Sequence, residues 1–435
     1  MNYKNKKVLI IGMKSSGTSA AALLQNKGAK VYFYDDEIKE IAGFSALDDF
    51  KDENLKTFSA VIVSPAIAND HSLLMKMKRL GITIKSELDL GCSFLNCPQI
   101  VVTGTNGKTT VVTMIEKLLS FGGYKVKAMG NIGYPVSQVV LDGNDLDYAV
   151  VEASSFQLEY AEVKPYISII MNVAPDHMDR YEKYSDYIDA KKRVCKNQSE
   201  SDYLIFNNDD GIARSFIEKT KAKGIAVSTK KNLSPVHIKD NYFMDEDISL
   251  CPVKSCKLRG DHNKFNMLVA LNVGKIVGVR KESLVRLIKE YTLLPNRIEY
   301  VTTIDGKKYY NDSKGTNIHA CRFAVGSLDG SVGLIMGGSD KNEDFCDFFE
   351  NIDERVKEIA ITGGNAEKIY DSAMKMGYTS VAILPSLTEA VRYLSQKEDV
   401  ENVLLSPCCA SFDRYKNYAE RGEKFKEAVY AIQSK

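Results

Sequence analysis

The sequence predicts an α/β protein of three domains, each built on a parallel sheet, and three observations carry that prediction. Short apolar strands alternate with amphipathic helices along the whole chain, the pattern of parallel sheets covered on both faces. Strand ends run into glycine-containing turns at "GMKSSG" (12–17), "TGTNGKTT" (103–110) and "GGSDKN" (337–342). The chain has 435 residues, beyond the roughly 250–300 at which a single core stops growing.

Composition narrows the function classes. The 44% hydrophobic and 26% charged content is that of a globular protein. A formal net charge of +1 argues against steering towards nucleic acid or an anionic membrane. No apolar run approaches the roughly 20 residues of a membrane span, and "MNYKNKKVLIIG" leads directly into a strand, so a cytoplasmic protein with no nucleic-acid or membrane partner is expected. A monomer is the expectation for the assembly, which these features do not fix. Nine scattered cysteines, an odd number, suggest reduced thiols. Cys251 and Cys256 lack a second pair at zinc spacing, and the adjacent Cys408 and Cys409 are badly placed to hold one metal.

The first domain, residues 1–92, reads "KVLIIG", a helix through "SAAALLQNKG", "KVYFYDD", "SAVIVSP" and a helix through "LLMKMKRLG". Its first turn resembles a dinucleotide fingerprint whose middle glycine is replaced by Lys14, so it is Rossmann-like but weak as evidence for NAD. Ser15, Ser16 and the amides up to Gly17 still offer a diphosphate cradle at a helix N-terminus, with Asp35 and Asp36 ending the next strand near any sugar. An ordinary tight turn is the alternative.

The second domain, 93–297, opens with "QIVVTGTNGKTTVVTMIEKLLSFGG", a buried strand, a loop and a helix stopped by glycine. A standard phosphate loop, G-x-x-x-x-G-K-[ST], would put its first glycine at Val102. Here the glycines are Gly104 and Gly107. The working end survives: Lys108 for the β/γ-phosphates, Thr109 as a hydroxyl ligand of Mg²⁺, and a helix N-terminus that attracts anions. Magnesium needs further oxygen ligands. Glu152, ending the strand of "YAVVEASSFQLE", and the cluster Asp176, His177 and Asp179 in "PDHMDRY" are the candidates. Singly, each could be a strand-closing charge or a hydrogen-bonded loop histidine. The third domain, 298–435, follows the turn-like "LLPNR" with strand ends at "KKYYNDSKGTN", "VGLIMGGSDKN", "EIAITGG", "VAILP" and "VLLSPCCASFD". Linkers are expected near 92–98 and 295–300.

In order, "TGTNGKTT", "GNIG", "EASSFQLE", "NVAPDHMDRY", "YIDAKKR", "GDHNKFN", "PNR", "NDSKGTN", "GGSDKN" and "SPCCASFD" resemble the motifs of the muramoyl-peptide ligases, over essentially the whole chain. "DHMDRY" and "SPCCASFDRYKNY" are far more specific than the nucleotide loop, and within the family the chain resembles the branch that adds D-glutamate to a UDP-muramoyl-alanine substrate. The resemblance implies a Rossmann-like N-terminal domain for that substrate, a central P-loop ATPase-like domain and a Rossmann-like C-terminal domain for the amino acid. It further implies that ATP meets Gly104, Thr105, Asn106, Gly107, Lys108, Thr109 and Thr110, then Asn263, Asn266, Arg297 and Asp312. Two Mg²⁺ ions are implied, one on Thr109 and Glu152, the second on His177 and a lysine carbamylated by CO₂. Family spacing favours Lys191 for that lysine, with Lys192 the alternative. Lys108, His177 and Lys191 would be the catalytic set. Ser15, Ser16, Gly17, Asp35, Asn131 and His177 would meet the UDP-muramoyl substrate, and Lys314, Thr316, Lys341, Ser411 and Tyr418 the D-glutamate. Three departures stand out: Lys14 where glycine is usual, Asn296 where histidine is common, and Tyr418 where phenylalanine is frequent. Rival readings are a same-fold ligase for another amino acid, a nucleotide-driven switch or motor ATPase and, third, an NAD enzyme.

Overall fold

The computed structural model describes residues 2–132, 134–143, 145–178, 180–258, 260–292, 294–340 and 344–433. The chain forms two compact units. The first comprises Met1–Val173, Arg180–Ser255 and Phe265–Lys289; the second comprises 174–179, 256–264 and Glu290–Lys435.

Two parallel sheets lie in the first unit. One has the strand order Ser45–Ala46, Lys30–Tyr34, Lys7–Ile11, Ala60–Val63, Ile84–Ser86. Successive side chains of a strand point to opposite faces. Val8 and Ile10 accordingly pack with Ala20, Leu24 and Phe33 on one face, and Leu9 and Ile11 with Leu55, Leu74 and Met77 on the other. Each of these side chains other than Ala20, removed from water, contributes about 1.5–3 kcal/mol. The order reverses between Lys7–Ile11 and Ala60–Val63, which pair in parallel, so a crevice opens at their carboxyl ends.

The other sheet of this unit has the order Lys223–Val227, Tyr203–Asn207, Ile167–Ile170, Gln99–Thr103, Tyr148–Glu152, Val126–Gly130, again all parallel. Its central strand, Gln99–Thr103, feeds the glycine loop, and in register Val102 lies opposite Glu152. The helices Glu87–Cys92 and Val136–Asp142 pack between the sheets, where Ser137 N–H donates to the buried Glu87 carboxylate at 2.7 Å.

The sequence reading did not anticipate a three-stranded antiparallel sheet, Val236–Lys239, Tyr242–Asp245 and Ile248–Pro252. Its first turn places Asp240 and Asn241 at φ of 52° and 61°, the left-handed pair that a two-residue hairpin requires. Asn272 ties it down, accepting from Val236 N–H and donating to Val236 C=O.

The second unit holds a six-stranded sheet of order Glu299–Ile304, Lys307–Asn311, Asn402–Leu405, Val332–Met336, Val356–Ile361, Val381–Ile383. The first pair is an antiparallel hairpin turning at Asp305 and Gly306; the remaining pairs are parallel. Leu334 and Met336 join one core face and Ile335 the other.

Candidate active site

The glycine loop is a tight cradle around backbone amides. Gly104 and Gly107 have φ of +147° and +84°, values that side-chain-bearing residues rarely adopt. A Cβ on Gly104 would lie 2.8 Å from Met171 Cβ, and one on Gly107 would lie 2.9 Å from Asn266 Oδ1. Asn172 clamps the loop from the neighbouring strand end. Its carbonyl accepts from Thr105 N–H at 2.8 Å, and its side chain accepts from Asn106 N–H at 2.8 Å and donates to Asn106 C=O at 3.1 Å. The helix Lys108–Phe121 begins directly after Gly107, with Thr109 and Thr110 buried at its first turn. Lys108 Nζ folds over the loop, 2.8 Å from the carbonyls of both Gly104 and Thr105.

Glu152 ends the adjacent strand and is 2% exposed. Asn131 Nδ2 donates to its Oε1 at 2.8 Å, whereas Oε2 is buried with no hydrogen-bond donor among the described residues. A bare buried carboxylate oxygen is costly unless a cation or donor meets it, so this oxygen fits a hard cation. Of the two lysines in "DAKKR", Lys191 is buried and donates from Nζ to Gly104 C=O at 2.9 Å, with the Tyr187 ring centroid 4.4 Å away. Tyr187 Oη in turn lies 2.9 Å from Thr105 Oγ1. Lys192 is half-buried and sits 3.2 Å from the exposed Asp189. The geometry thus brings Lys108, Thr109, Glu152, Lys191 and Asn266 to the carboxyl edge of one sheet.

In the first sheet, Ser15 starts the helix Ser15–Asn26 and is exposed, Ser16 is half-buried, and Gly17 packs so closely that a Cβ would be 1.9 Å from Gly12 O. Asp35 is committed to its own backbone. Its Oδ2 accepts from Met13 N–H at 2.7 Å and its Oδ1 from the amides of Glu37 and Ile38. It shapes the 12–14 turn and does not present a free carboxylate to a sugar. Lys14 points away to Glu37, 3.8 Å distant, with both side chains exposed.

The second unit carries the remaining candidates. His177 has a φ of +59°, and its Nε2 lies 3.6 Å from Asp176 Oδ2, which also accepts from Asn317 Nδ2 at 3.2 Å. At 3.6 Å the imidazole and the Asp176 carboxylate form a charge contact and not a hydrogen bond. Asn263, buried, lines a cavity of about 650 Å³ together with Leu258, Ile298, Tyr300, Tyr310 and Ser327. Arg297 is half-buried between Asn296 and Ile298, whose φ values of +65° and +47° make the "PNR" turn an uncommon one. Asparagine tolerates that region well, and here Asn296 also accepts from Asn311 Nδ2 at 2.9 Å. Asp312 is buried, accepts from Ser406 Oγ at 2.8 Å, and has its pKa pushed by burial up to about 7.

Lys314 Nζ stands 3.8 Å over the Tyr418 ring, while Ser411 is buried and Thr316 half-buried. Cys408 N–H donates to Gly315 C=O at 2.9 Å, joining "NDSKGTN" to "SPCC". Beneath them Arg421, 3% exposed, donates to Ser313 Oγ and to the carbonyls of Ser313, Cys409 and Ala410. Lys341 and Asp179 lie outside the described residues. Sequence reasoning missed Asn172, Tyr187 and Arg421, whose roles are visible only once distant loops meet.

Comparison with known proteins defines the class first. The Mur ligase middle domain matches residues 102–274, and the Mur ligase glutamate ligase domain matches residues 296–409. The pseudomurein peptide ligase type C of Methanothermus fervidus superposes with a TM-score of 0.61 at 16% identity, covering 98% of this chain and 100% of that one. MurF of Acinetobacter baumannii gives 0.65 at 13% identity, covering 100% and 92%. At full length the chain is 36% identical to the UDP-N-acetylmuramoylalanine–D-glutamate ligase of Caldanaerobacter subterraneus subsp. tengcongensis over 445 residues, 99% of each chain. It is 34% identical to that of Lachnoclostridium phytofermentans over 451 residues, again 99% of each. The chain belongs to the UDP-N-acetylmuramoylalanine–D-glutamate ligases.

Proposed function

We propose that the protein joins D-glutamate to UDP-N-acetylmuramoyl-L-alanine at the expense of ATP, and that the residues gathered around Gly104 carry the phosphoryl transfer. A carboxylate is a poor electrophile. The alanyl carboxylate oxygen attacks the γ-phosphorus of ATP, the bond to the β,γ-bridging oxygen breaks, and ADP leaves. The resulting acyl phosphate is attacked by the D-glutamate amine; phosphate departs from the tetrahedral intermediate and the amine loses a proton.

The amides of residues 104–107 and the helix N-terminus receive the phosphates, and Lys108 turns from its own loop carbonyls to the β/γ-oxygens. Thr109 and Glu152 would hold one Mg²⁺, and His177 with a carbamylated Lys191 a second; when bound, these ions offset the repulsion between carboxylate and triphosphate. Carbamylation replaces an ammonium, which cannot bind a cation, by carboxylate-like oxygens, and the burial of Lys191 beside Gly104 favours it over Lys192. The cavity at Asn263 and Ile298 suits the adenine, with Arg297 and Asp312 nearby for phosphate and ribose. Ser15, Ser16, Gly17 and Asn131 serve the UDP-linked substrate, with Asp35 acting through the Met13 amide. Lys314, Thr316, Lys341, Ser411 and Tyr418 serve the two D-glutamate carboxylates, which need donors once desolvated. The divisions 1–92, 93–297 and 298–435, a monomeric state and a cytoplasmic location complete the reading. No helix among the described residues is long and apolar enough to cross a membrane.

The observation that carries the site assignment is the donor-free Glu152 Oε2 beside the phosphate loop. Glu152→Gln keeps the Oε1 acceptor for Asn131 and replaces the bare oxygen by an uncharged NH₂ that cannot bind a cation. Loss of Mg²⁺-dependent ATP binding supports the assignment, and wild-type binding refutes it. Carbon-13 NMR after labelling with bicarbonate should show one carbamate resonance that disappears in Lys191→Arg and persists in Lys192→Arg.

A further inference from the structure

We infer that Arg180 is a positioning residue that fixes the loop facing the UDP-linked substrate; the inference rests on the reading that the 12–17 turn receives that substrate. The ATP and metal roles account for only part of two motifs: Glu152 in "EASSFQLE" and His177 in "DHMDRY". Phe156, Glu159 and Arg180 are left over, and in the structure they meet one another.

The strands Lys7–Ile11 and Ala60–Val63 flank the crevice where the first sheet reverses its order, so the turns 12–17 and 64–67 face each other across it. They touch: a Cβ on Gly12 would lie 2.7 Å from Ser64 Cβ and 3.0 Å from Ile67 Cγ1. The position of residues 64–67 therefore sets the width of the crevice. Two carbonyls of that turn are held from outside the sheet. Arg180 Nη1 donates to Pro65 C=O at 2.5 Å and Nη2 to Ile67 C=O at 2.9 Å, from 115 and 113 residues further along the chain.

The guanidinium is itself seated. Its Cζ lies 4.0 Å from the Phe156 ring centroid and its Nη2 lies 3.3 Å from Glu159 Oε2, with both charged side chains nearly buried at 12% and 8% exposure. Next to Glu159, Tyr160 Oη donates to Asn69 Oδ1 at 2.5 Å, pinning the far end of the same loop. Apolar packing alone can hold two surfaces together as well as a buried ion pair does. What a planar fork adds is direction, here on two carbonyls two residues apart. Lysine at position 180 would keep the charge and lose the fork.

The test compares wild type, Arg180→Lys and Tyr160→Phe by steady-state kinetics, varying each substrate in turn, and by hydrogen exchange of peptides covering residues 64–71 without substrates. The expected result for Arg180→Lys is a KM for UDP-N-acetylmuramoyl-L-alanine raised about tenfold or more. The KM values for ATP and D-glutamate should stay within about twofold, and the loop amides should exchange faster. Tyr160→Phe should move the same quantities the same way by less, and it decides the matter if Arg180→Lys does not fold. A lower melting temperature with unchanged KM values, or a parallel rise in all three, would overturn the inference, as would unchanged loop exchange. A wild-type enzyme that fails to ligate this substrate while the variant's loop still exchanges faster would instead overturn the functional reading.

Discussion

At the scale of single residues, the chemistry turns on polar groups placed where water cannot satisfy them. Glu152 ends a buried strand with one oxygen bonded to Asn131 and the other bare. Replacing it by glutamine should lower kcat by about two to three orders of magnitude, a loss comparable to that of an electrostatic stabiliser in other active sites; the Mg²⁺ dependence of turnover measures it. His262, in the second unit, shows the opposite use of burial. It lies 3.4 Å from Ser327 Oγ, and desolvation lowers its pKa from 6.5 to about 4. Between those values the unfolded chain binds a proton that the folded chain refuses. The stability this residue supports is therefore complete above about pH 6.5 and is lost as pH falls towards 4. His262→Gln should flatten that acid loss by up to about 3 kcal/mol, read from urea midpoints at neutral and mildly acidic pH.

At the scale of elements, the glycine loop and the turns decide where those residues stand. Gly107→Ala places a methyl at φ +84° and 2.9 Å from Asn266 Oδ1. It should raise the KM for ATP by at least about tenfold, since left-handed backbone costs about 1–2 kcal/mol and the asparagine must also shift; an ATP titration checks this. Gly17→Ala meets a backbone oxygen at 1.9 Å that has no room to move. It should destabilise the first sheet by about 1–3 kcal/mol, measurable as a lowered thermal midpoint. Much of this level was legible. Apolar runs gave the parallel strands, and the G-K-T ending of the loop at 107–109 gave its place at a helix N-terminus. The antiparallel strands at 236–252 were not read, although Asp240-Asn241 is a hairpin signal, because the strands are short and their register shifts between Phe243 and Met244. Asn172, Tyr187 and Arg180 were illegible for a different reason. All three stand in the quoted motifs "NVAPDHMDRY" and "YIDAKKR", but each acquires its own role from a backbone group or hydroxyl at least 66 residues away, which the motif does not name.

At the scale of the whole molecule, the three tasks proposed for the chain fall on separate sheets: the UDP-linked substrate at the 12–17 turn, the phosphates at 104–107, and the amino acid at Lys314, Tyr418 and Ser411. A motor or switch ATPase needs only the second of these. Full-length similarity to D-glutamate ligases and the glutamate ligase domain at 296–409 separate this chain from that class. The choice of amino acid is the central claim, because same-fold ligases share the ATP chemistry and differ in what they attach. The decisive measurement supplies ATP, Mg²⁺ and UDP-N-acetylmuramoyl-L-alanine with D-glutamate, L-glutamate, L-lysine or diaminopimelate in turn, and records ADP release and product mass. The account predicts a product heavier by one glutamyl residue, with stoichiometric ADP, in the D-glutamate reaction alone. ADP release indifferent to all four amino acids, or a product with any of the other three, would contradict it.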